Sequence, residues 1–547
     1  MLSRVASVAR GSSCGPLTLF ATQGAARLLL FTAVASRASA AGLEAVREDC
    51  VMQNKIAIAF EPASRGGVTR QNLIEFLEPW GQSHLLKFWG QLSQNERQHL
   101  AQEVLQVDWG LVARQYSDAA SGAGGGQTSP AELAGQAEEP SSVLTLSDPA
   151  GKSVAYGEEV LRAGEVGVIL VAGGQGTRLG FPHPKGMYPL GPVSRRSLFQ
   201  ILIDRLRAVG KRYGVEIPLY VMTSPSTHGE TERFLTNHRW FGADADSIQL
   251  FCQGVMPSVD VDAGKALLAS CGSLALSPDG HGGMLSALQS SGLLDDMSHR
   301  GVRHLFYGQI DNPLLPVCDP RLLGAHAMAQ SEMSTLAVRK RSPLEKVGNL
   351  VSIAGRSHII EYSDIPESIV EQRQKDGSLR LWAGNIAVHV FDVEFLQRVA
   401  DDSQGLPFHR ALKKVPCLDA MGNHCHPEQP NAMKFERFIF DLLPLANRTI
   451  AVEGERDQCF APVKNPIGSE HDTPETSRRA MVELDRRLLQ QCGVVIGENA
   501  DVEINPLWAI DAQALSTKVA PGTRIEGPTW FSEEELHTGQ QAARKAA

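Results

Sequence analysis

Short runs of consecutive apolar residues recur through the middle of the chain. The first, Val166–Val171, is almost continuously apolar, as a strand buried on both faces requires. Residues 197–213 then place apolar side chains at helical spacing, which predicts an amphipathic helix. Short apolar runs typical of buried strands recur at five further places, 219–222, 248–251, 304–307, 335–338 and 386–391. This alternation predicts an α/β fold built on a doubly wound, mostly parallel sheet.

The segments on either side of this region have a different texture. Residues 68–116 are predicted to form a small helical unit, in which Ser93-Gln-Asn-Glu96 has the form of a capping box. Residues 117–150, rich in Gly, Ser, Ala and Pro as far as 142, are predicted to be a flexible linker. We assign residues 151–445 to the main α/β domain and 446–547 to a small C-terminal unit.

The first 67 residues are predicted to lie outside the fold. No acidic residue precedes Glu44, and four arginines punctuate a stretch rich in Ser, Ala and Leu. This composition is typical of a targeting segment, and it is equally compatible with a start codon assigned too far upstream. The apolar run at 28–35 is too short to span a bilayer. We expect a cytoplasmic protein with no membrane partner.

Charge and cysteine content exclude several classes of function. The formal net charge of −9 provides no basic field for nucleic acid. Nine cysteines without a C-x-x-C pair do not form a disulfide framework, so a reducing compartment is the simpler interpretation. Cys417, His424, Cys425 and His426 cluster in sequence, but their spacing matches no zinc pattern well.

The strongest chemical signal follows the first predicted strand. The sequence Leu170-Val-Ala-Gly-Gly-Gln-Gly-Thr-Arg-Leu-Gly180 leads to Pro184-Lys185, so glycines that present backbone N–H groups to an anion are followed by two cations. A P-loop would need Gly-Lys-Ser/Thr after its glycines, which is absent. A dinucleotide fingerprint would need closer glycine spacing than Gly174, Gly176 and Gly180 have. The pattern therefore indicates a phosphate-binding loop of another kind.

The motif G-G-x-G-T-R-L-G followed by P-K resembles the signature of nucleotidyltransferases that activate sugars. The chain is similar to the eukaryotic-type UDP-sugar pyrophosphorylase family, and most similar to its UDP-N-acetylglucosamine pyrophosphorylase branch. Further pieces follow in the family's order between about residues 80 and 480. They are 81–89, Gln253-Gly254 with Pro257, 280–283, 310–312, 361–363, Gly384-Asn385, Lys434-Phe435 with Phe440-Asp441, and Lys464-Asn465. The resemblance implies the nucleotide-diphospho-sugar transferase type of sheet.

The resemblance also implies roles on the nucleotide side of the site. Ala172, Gly173 and Gly174 would surround the uridine and its phosphates with backbone groups, while Gln253 and Gly280 would read the uracil edge. The remaining implied roles concern charge. Arg178 and Lys185 would hold the triphosphate, Asp311 would bind Mg²⁺ as a hard oxygen ligand, and Lys434 would hold phosphate.

The sugar side of the implied site differs from the family pattern at one position. Glu361 and Asn385 would bond the sugar hydroxyls or amide, and Lys464 would hold the sugar phosphate. The family usually has Asn where this chain has His281, and imidazole cannot reproduce the donor and acceptor pair of an amide. His281 can still donate to a hydroxyl. The resemblance implies N-acetylglucosamine 1-phosphate as the acceptor, and the departure at His281 leaves glucose or galactose 1-phosphate as the alternative.

Several of these residues have a purely structural alternative. Asp311 follows a buried strand, where an Asp often caps the next helix. Glu361 and Asn385 can satisfy backbone groups at strand ends. Lys434 is expected to open an amphipathic helix formed with 435, 438, 439 and 442, where a lysine is usually solvated.

The implied substrates, UTP and a sugar 1-phosphate, determine the expected mechanism. A sugar 1-phosphate is already an anionic nucleophile, so no protein base is required, and no Ser/His/Asp or Cys/His arrangement indicates a covalent intermediate. We expect positioning and charge neutralisation by Mg²⁺, Arg178, Lys185 and Lys464, with in-line attack on the α-phosphorus of UTP. The alternatives are a uridine-nucleotide-binding regulator without turnover and, more remotely, a nicotinamide-dependent oxidoreductase.

Overall fold

A computed structural model describes residues 68–120, 130–146, 151–402 and 405–533. The predicted extension at 1–67 and parts of the predicted linker lie outside the described residues. None of the helices in the described part of the chain is both long enough and apolar enough to cross a bilayer.

The main domain is built on a ten-stranded sheet, as the sequence predicts. Its strands are β1 (Val143–Thr145), β2 (Val166–Val171), β3 (Leu219–Thr223), β4 (Ile248–Cys252), β10 (His304–Gln309), β11 (Met333–Arg339), β12 (Gly348–Ile353), β13 (Arg356–Ile360), β14 (Ala383–Asp392) and β19 (Thr449–Glu453). Their order is β1-β19-β11-β14-β10-β2-β3-β4, and β12 joins β13 to β14. All pairs along the main path are parallel except those of β14, which runs antiparallel to β10 and β11.

Thirteen short strands, fifteen α-helices and several short 3-10 helices complete the described secondary structure. The strands of the main domain's small sheets are β5 (Val255–Pro257), β6 (Val259–Asp260), β7 (Leu268–Ser270), β8 (Ser273–Leu274), β9 (Leu276–Pro278), β15 (His409–Lys413), β16 (Cys417–Leu418), β17 (His424–Cys425) and β18 (Ala432–Glu436), followed in the C-terminal unit by β20 (Val495–Ile496), β21 (Val502–Ile504), β22 (Arg524–Ile525) and β23 (Thr529–Phe531). The helices are α1 (Arg70–Leu77), α2 (Gln94–Gln106), α3 (Trp109–Ala120), α4 (Pro130–Gln136), α5 (Lys152–Arg162), α6 (Leu198–Tyr213), α7 (His228–Asn237), α8 (Gly283–Ser290), α9 (Leu293–His299), α10 (Pro320–Met328), α11 (Glu367–Val370), α12 (Val393–Ala400), α13 (Arg456–Cys459), α14 (Pro474–Gln491) and α15 (Ala512–Ser516).

Both faces of the central sheet are covered, which explains the continuous apolar runs. On β2, Val168 and Leu170 belong to the core shared with α5, α6 and α10, whereas Ile169 belongs to the core shared with α8, α9 and α12. Alternate side chains of one strand thus enter two different cores. Because β2, β3 and β10 are parallel neighbours, the polar segments that follow them meet at one edge of the sheet.

The segment 68–116 contains α1, α2 and most of α3, and it packs against the small strands of the main domain. Ser93 and Glu96 form the predicted capping box at the start of α2. The core of this unit contains Leu77 and Leu100 together with Met256 and Phe435 from β5 and β18. The N-terminal unit therefore supports the strand that carries Lys434.

The prediction of a flexible linker is wrong for two of its segments. Residues 130–136 form α4, whose Ala134 is buried against Val351 of β12. Residues 143–145 form β1, which pairs with β19 at the edge of the central sheet. Backbone pairing with a neighbouring strand outweighs the low strand propensity of a Gly- and Ser-rich context, and this pairing is invisible to local pattern.

The central sheet also extends beyond the predicted boundary at 445, because β19 lies inside it between β1 and β11. The C-terminal core begins later, on α14, where Val482 and Leu489 pack with Val502 and Trp508. A cavity of about 450 Å³ lies between α14, α6 and the C-terminal strands, and none of the predicted site residues lines it.

Candidate active site

The glycine-rich segment after β2 folds back on itself. Ala172 is buried and its N–H donates to Met222 O at 2.7 Å, which continues the ladder between β2 and β3. Further along, Lys185 N–H donates to Gly174 O at 3.0 Å, so the two ends of the loop lie side by side. Gly174 itself is exposed, and a Cβ there would meet no atom within 4 Å. The loop presents an open backbone surface beside a lysine.

A lysine of this loop forms an ion pair with a carboxylate from the neighbouring strand end. Lys185 Nζ lies 3.3 Å from Asp311 Oδ2, and the two side chains are only 17% and 12% exposed. Asp311 follows β10, the parallel neighbour of β2. The hydrogen-bond ladder between the two strands extends beyond the end of β10 to Ile310, whose N–H donates to Val171 O. A partly buried ion pair of this kind places both signs of charge next to the glycine loop.

Lys464 is tied to the same edge through the backbone. Val463 N–H donates to Asp311 O at 2.8 Å, which fixes Lys464 one residue away from that contact. The Lys464 ammonium lies 5.7 Å from the ring centroid of Phe460 and interacts electrostatically with Glu361. The four positions Gly174, Lys185, Asp311 and Lys464 are therefore linked by successive contacts.

Arg178 is placed differently from the other predicted cations. It lies exposed on the 3-10 turn Thr177–Leu179, which begins after Gly176. Gly176 is closely enclosed, because a Cβ there would lie 2.8 Å from His183 O. Among the described residues, no hydrogen bond links Arg178 to another predicted site residue. Its position next to the loop leaves it accessible to an anion.

The predicted uracil-reading residues adjoin the glycine loop. Gln253 is 8% exposed, and its backbone N–H donates to Thr223 O at the end of β3. A Cβ on Gly173 would lie 3.3 Å from Gln253 Oε1, so the two residues are neighbours. Gly280 has a φ of +86°, and a Cβ there would lie 2.3 Å from Arg437 O. Only glycine satisfies both the backbone conformation and this close approach.

Asp279 connects these segments, and the sequence reasoning missed it. Its backbone N–H donates to Gly254 O, and its carbonyl accepts from Arg437 N–H. Burial raises the pKa of the Asp279 carboxyl to about 6, although the charge of Arg437 opposes the shift. Oδ1 has no hydrogen-bond partner within the described structure. The only signal in the sequence is an acidic residue directly before Gly280, which is too common to single out.

The prediction that Lys434 opens a helix is wrong. Lys434 lies on β18, opposite Ala411 of β15, and a 3-10 helix begins only at Ile439. Between them the backbone of Arg437 is used for tertiary pairing, since its N–H donates to Asp279 O and its carbonyl accepts from Gly282 N–H. These tertiary hydrogen bonds outweigh the helical spacing of the apolar residues on which the predicted helix was based. Lys434 is partly buried, and no described contact links it to Lys185 or Lys464.

The sugar-side residues gather around Gly348 on β12. Asn385 is the register partner of Gly348, and a Cβ on Gly348 would lie 3.3 Å from Glu361 Oε1. Burial is the main cause that raises the pKa of Glu361, and the charge of Asp364 adds to it. Asn385 Oδ1 accepts from Ala387 N–H at 3.0 Å at a β-bulge, so part of this amide serves the backbone, as the structural alternative holds.

His281 has a fixed orientation at this side of the site. Its Nδ1 accepts a hydrogen bond from Ile439 N–H at 3.1 Å, which places the proton of the neutral ring on Nε2. Burial lowers the pKa of His281 to about 4, and the nearby His409 contributes to the shift. The ring lies 5.5 Å and 5.6 Å from the centroids of Phe438 and Phe440. Near neutral pH His281 is thus a donor, whereas Asn would offer both a donor and an acceptor.

Comparison with known proteins identifies the class and then the family. A family model described as UTP–glucose-1-phosphate uridylyltransferase matches residues 149–471, more than half of the chain. The protein is a nucleotidyltransferase. It belongs to this UTP–glucose-1-phosphate uridylyltransferase family, which confirms the resemblance identified from the motifs.

Individual relatives cover most of the chain. This chain is 39% identical over 368 residues to UDP-N-acetylglucosamine pyrophosphorylase of Saccharomyces cerevisiae. The match covers 66% of this chain and 77% of that protein. It is 35% identical over 504 residues to human UDP-N-acetylhexosamine pyrophosphorylase-like protein 1, and that match covers 86% of this chain and 99% of the human protein. A crystal structure from Entamoeba histolytica, assigned as a UDP-N-acetylglucosamine pyrophosphorylase, has a TM-score of 0.67 at 30% identity. The match covers 72% of this chain and 100% of the chain in that structure.

Proposed function

We propose that this protein joins UTP to a sugar 1-phosphate, releasing pyrophosphate, with N-acetylglucosamine 1-phosphate as the preferred acceptor. The observation that carries the proposal is the contact between Lys185 and Asp311 beside the open backbone of Gly174. A triphosphate needs backbone donors, a cation and a metal-binding carboxylate at one place, and these residues supply them. A cytoplasmic location, where UTP is available, follows from the proposal.

The described residues account for a reaction without a protein base. The sugar phosphate oxygen attacks the α-phosphorus of UTP, the bond from that phosphorus to the bridging oxygen of the β-phosphate breaks, and pyrophosphate leaves with the negative charge. Lys185 and the exposed Arg178 neutralise the triphosphate, while Lys464 holds the incoming phosphate. Because two anions must approach each other, positioning and charge neutralisation provide the rate enhancement.

The Asp311 carboxylate fits a magnesium ion. It is a hard oxygen donor, 12% exposed, and its Oδ2 lies 3.3 Å from the ammonium of Lys185, the lysine at the end of the glycine loop. Within the described residues no group of three or more His, Cys, Asp or Glu side chains forms a metal site. A single carboxylate suits Mg²⁺, which usually keeps waters and takes its other ligands from phosphates. Bound Mg²⁺ would supply charge stabilisation of the triphosphate oxygens.

The orientation of His281 is compatible with more than one acceptor. Because its Nδ1 is occupied by Ile439 N–H, the ring offers only a donor to the sugar, which suits a hydroxyl as well as an acetamido carbonyl. Glucose or galactose 1-phosphate would react by the same chemistry. Pyrophosphate release measured with each sugar 1-phosphate in turn separates these acceptors.

The direct test incubates purified protein with UTP, Mg²⁺ and a panel of N-acetylglucosamine, glucose and galactose 1-phosphates, and measures pyrophosphate release. We expect release with at least one sugar, fastest with N-acetylglucosamine 1-phosphate, and its loss when the metal is chelated. Tight UTP binding with no release across the panel would instead identify a regulator. Release that is fastest with glucose 1-phosphate would move the assignment to that acceptor.

A further inference from the structure

A histidine–aspartate pair lies at the sugar side of the site and is not accounted for by the proposed function. His409, the first residue of β15, has Nε2 2.7 Å from Asp441 Oδ2. Its ring lies 4.5 Å from the centroid of Phe438, on which it packs at an interplanar angle of 34°. The His409 side chain is 41% exposed, whereas that of Asp441 is 17% exposed. The pair is thus anchored on one side and open to solvent on the other.

The groups around His409 are mostly acidic. Asp441, Asp364 and Glu361 interact with it electrostatically, as does the neutral ring of His281, and Glu436 of β18 is its register partner. Lys464 also interacts with Glu361, which places it on the same side of the site. Three carboxylates therefore surround His409, and Lys464 is a permanent cation that interacts with one of them, Glu361, on the side of the site where the proposed function places the sugar phosphate.

The protonation of His409 changes this balance. In either state Nε2–H can donate to Asp441, so the second proton is held on Nδ1. Burial lowers the pKa of His409, but the hydrogen bond and charge of Asp441, with the charges of Asp364 and Glu361, outweigh it and raise the pKa overall. The imidazolium consequently persists to higher pH than in a free histidine and is lost as the pH rises through this raised value.

We propose that His409, held by Asp441, is the second cation of the sugar side and admits the sugar 1-phosphate by offsetting the three carboxylates. This inference rests on the proposed function, because it concerns the acceptor substrate of that reaction. When His409 is protonated, its charge adds to that of Lys464 against the carboxylates of Asp441, Asp364 and Glu361, and when it is neutral this contribution is lost. The acceptor, an anion, is then repelled, whereas UTP on the other side of the site is much less affected.

The test measures the KM for the sugar 1-phosphate and the KM for UTP between about pH 6 and pH 9, in the full chain and in His409→Gln. In the wild type we expect the sugar 1-phosphate KM to rise by about threefold to tenfold across the titration of His409, on the scale of one charge near a protein surface. His409→Gln should hold the high value at every pH, with kcat and the UTP KM changed less. Ionisation of the substrate phosphate is common to both proteins and cancels in the comparison.

Two further variants make the result specific. Asp441→Asn removes the nearest carboxylate, so the midpoint of the KM profile should move to lower pH. His424→Gln changes an exposed histidine of β17, away from this cluster, and should leave the profile unchanged. Equal pH profiles of the sugar 1-phosphate KM in wild type and His409→Gln would overturn the inference, as would an unmoved midpoint in Asp441→Asn. Failure of the proposed function itself would be recognised separately, by absence of pyrophosphate release from the wild type.

Discussion

The two sides of the candidate site are built in different ways. The nucleotide side consists mainly of backbone: it is built on the glycine turns after β2 and before α8, where Gly176 and Gly280 leave no room for a Cβ, and its charge comes from the Lys185–Asp311 ion pair and the exposed Arg178. The sugar side consists of side chains, namely Glu361, Asn385, His281 and the aromatic rings near them. A backbone surface tolerates little substitution, whereas side chains can be exchanged without changing the fold. The departure from the family pattern accordingly falls on the sugar side, at His281.

The largest effect is expected from the charges of the nucleotide side. Lys185→Ala or Asp311→Ala should lower turnover by about a hundredfold or more, the scale of losing one preorganised charge contact. Steady-state kinetics of pyrophosphate release measures it, with Lys211→Ala, an exposed lysine on α6 near Glu533, as the matched control. Near-normal turnover of either variant would remove the assigned role.

The next effect tests whether the nucleotide side depends on backbone shape. Gly280→Ala places a Cβ at positive φ and against Arg437 O, so the uracil-reading turn has to shift. We expect the KM for UTP to rise by about tenfold or more, as for loss of one good contact. Gly292→Ala is the control: its φ is also positive, at +71°, but a Cβ there meets nothing within 4 Å. Equal kinetics of the two variants would show that the close approach is unimportant.

A smaller effect is expected on the sugar side. His281→Asn restores the donor and acceptor pair usual in the family, so it should raise the ratio of kcat/KM for N-acetylglucosamine 1-phosphate over glucose 1-phosphate by about threefold to tenfold. The KM for UTP should change little, because Gln253 and the glycine loop are untouched. An unchanged sugar ratio, or a change confined to UTP, would contradict the division of the site into two sides.

The smallest effect concerns Asp279, which joins the two sides. Its folded-state pKa is raised by burial to about 6, so its contribution favours folding at low pH and is lost as the pH rises from the unfolded value of 3.8 through 6. Asp279→Asn removes this titration. Chemical denaturation at several pH values should show that the free energy of unfolding changes less between these pH values in the variant than in the wild type. Parallel pH profiles would argue against a buried, titrating carboxylate.

The sequence predicted the sheet well because burial on both faces leaves a direct trace. β2 was predicted with its observed bounds, and Ser197, which precedes the predicted helix, accepts from Gln200 N–H as the N-cap of α6. Prediction failed where pairing partners are distant in the chain: β1 in the supposed linker, β19 beyond the supposed boundary, and Lys434 on β18 in place of a helix. In each case a tertiary hydrogen-bond ladder outweighed local apolar spacing.

The candidate site divides in the same way. The glycine motif and its lysine are contiguous in sequence, so their proximity could be predicted, and the structure places Lys185 N–H on Gly174 O. Asp279 and His409 were missed because a lone Asp and a lone His carry no pattern, and their environment arises only when distant segments meet. Their assignment depends on burial and on contacts that the fold creates.

The most direct test of the central claim is a crystal structure of the protein with UTP and Mg²⁺. The account predicts that the triphosphate lies along the backbone of Gly173 and Gly174, with Lys185 on its oxygens and a metal ion between Asp311 and phosphate. A nucleotide bound elsewhere, or a metal ion that does not touch Asp311 while Lys185 faces away from the phosphates, would contradict it.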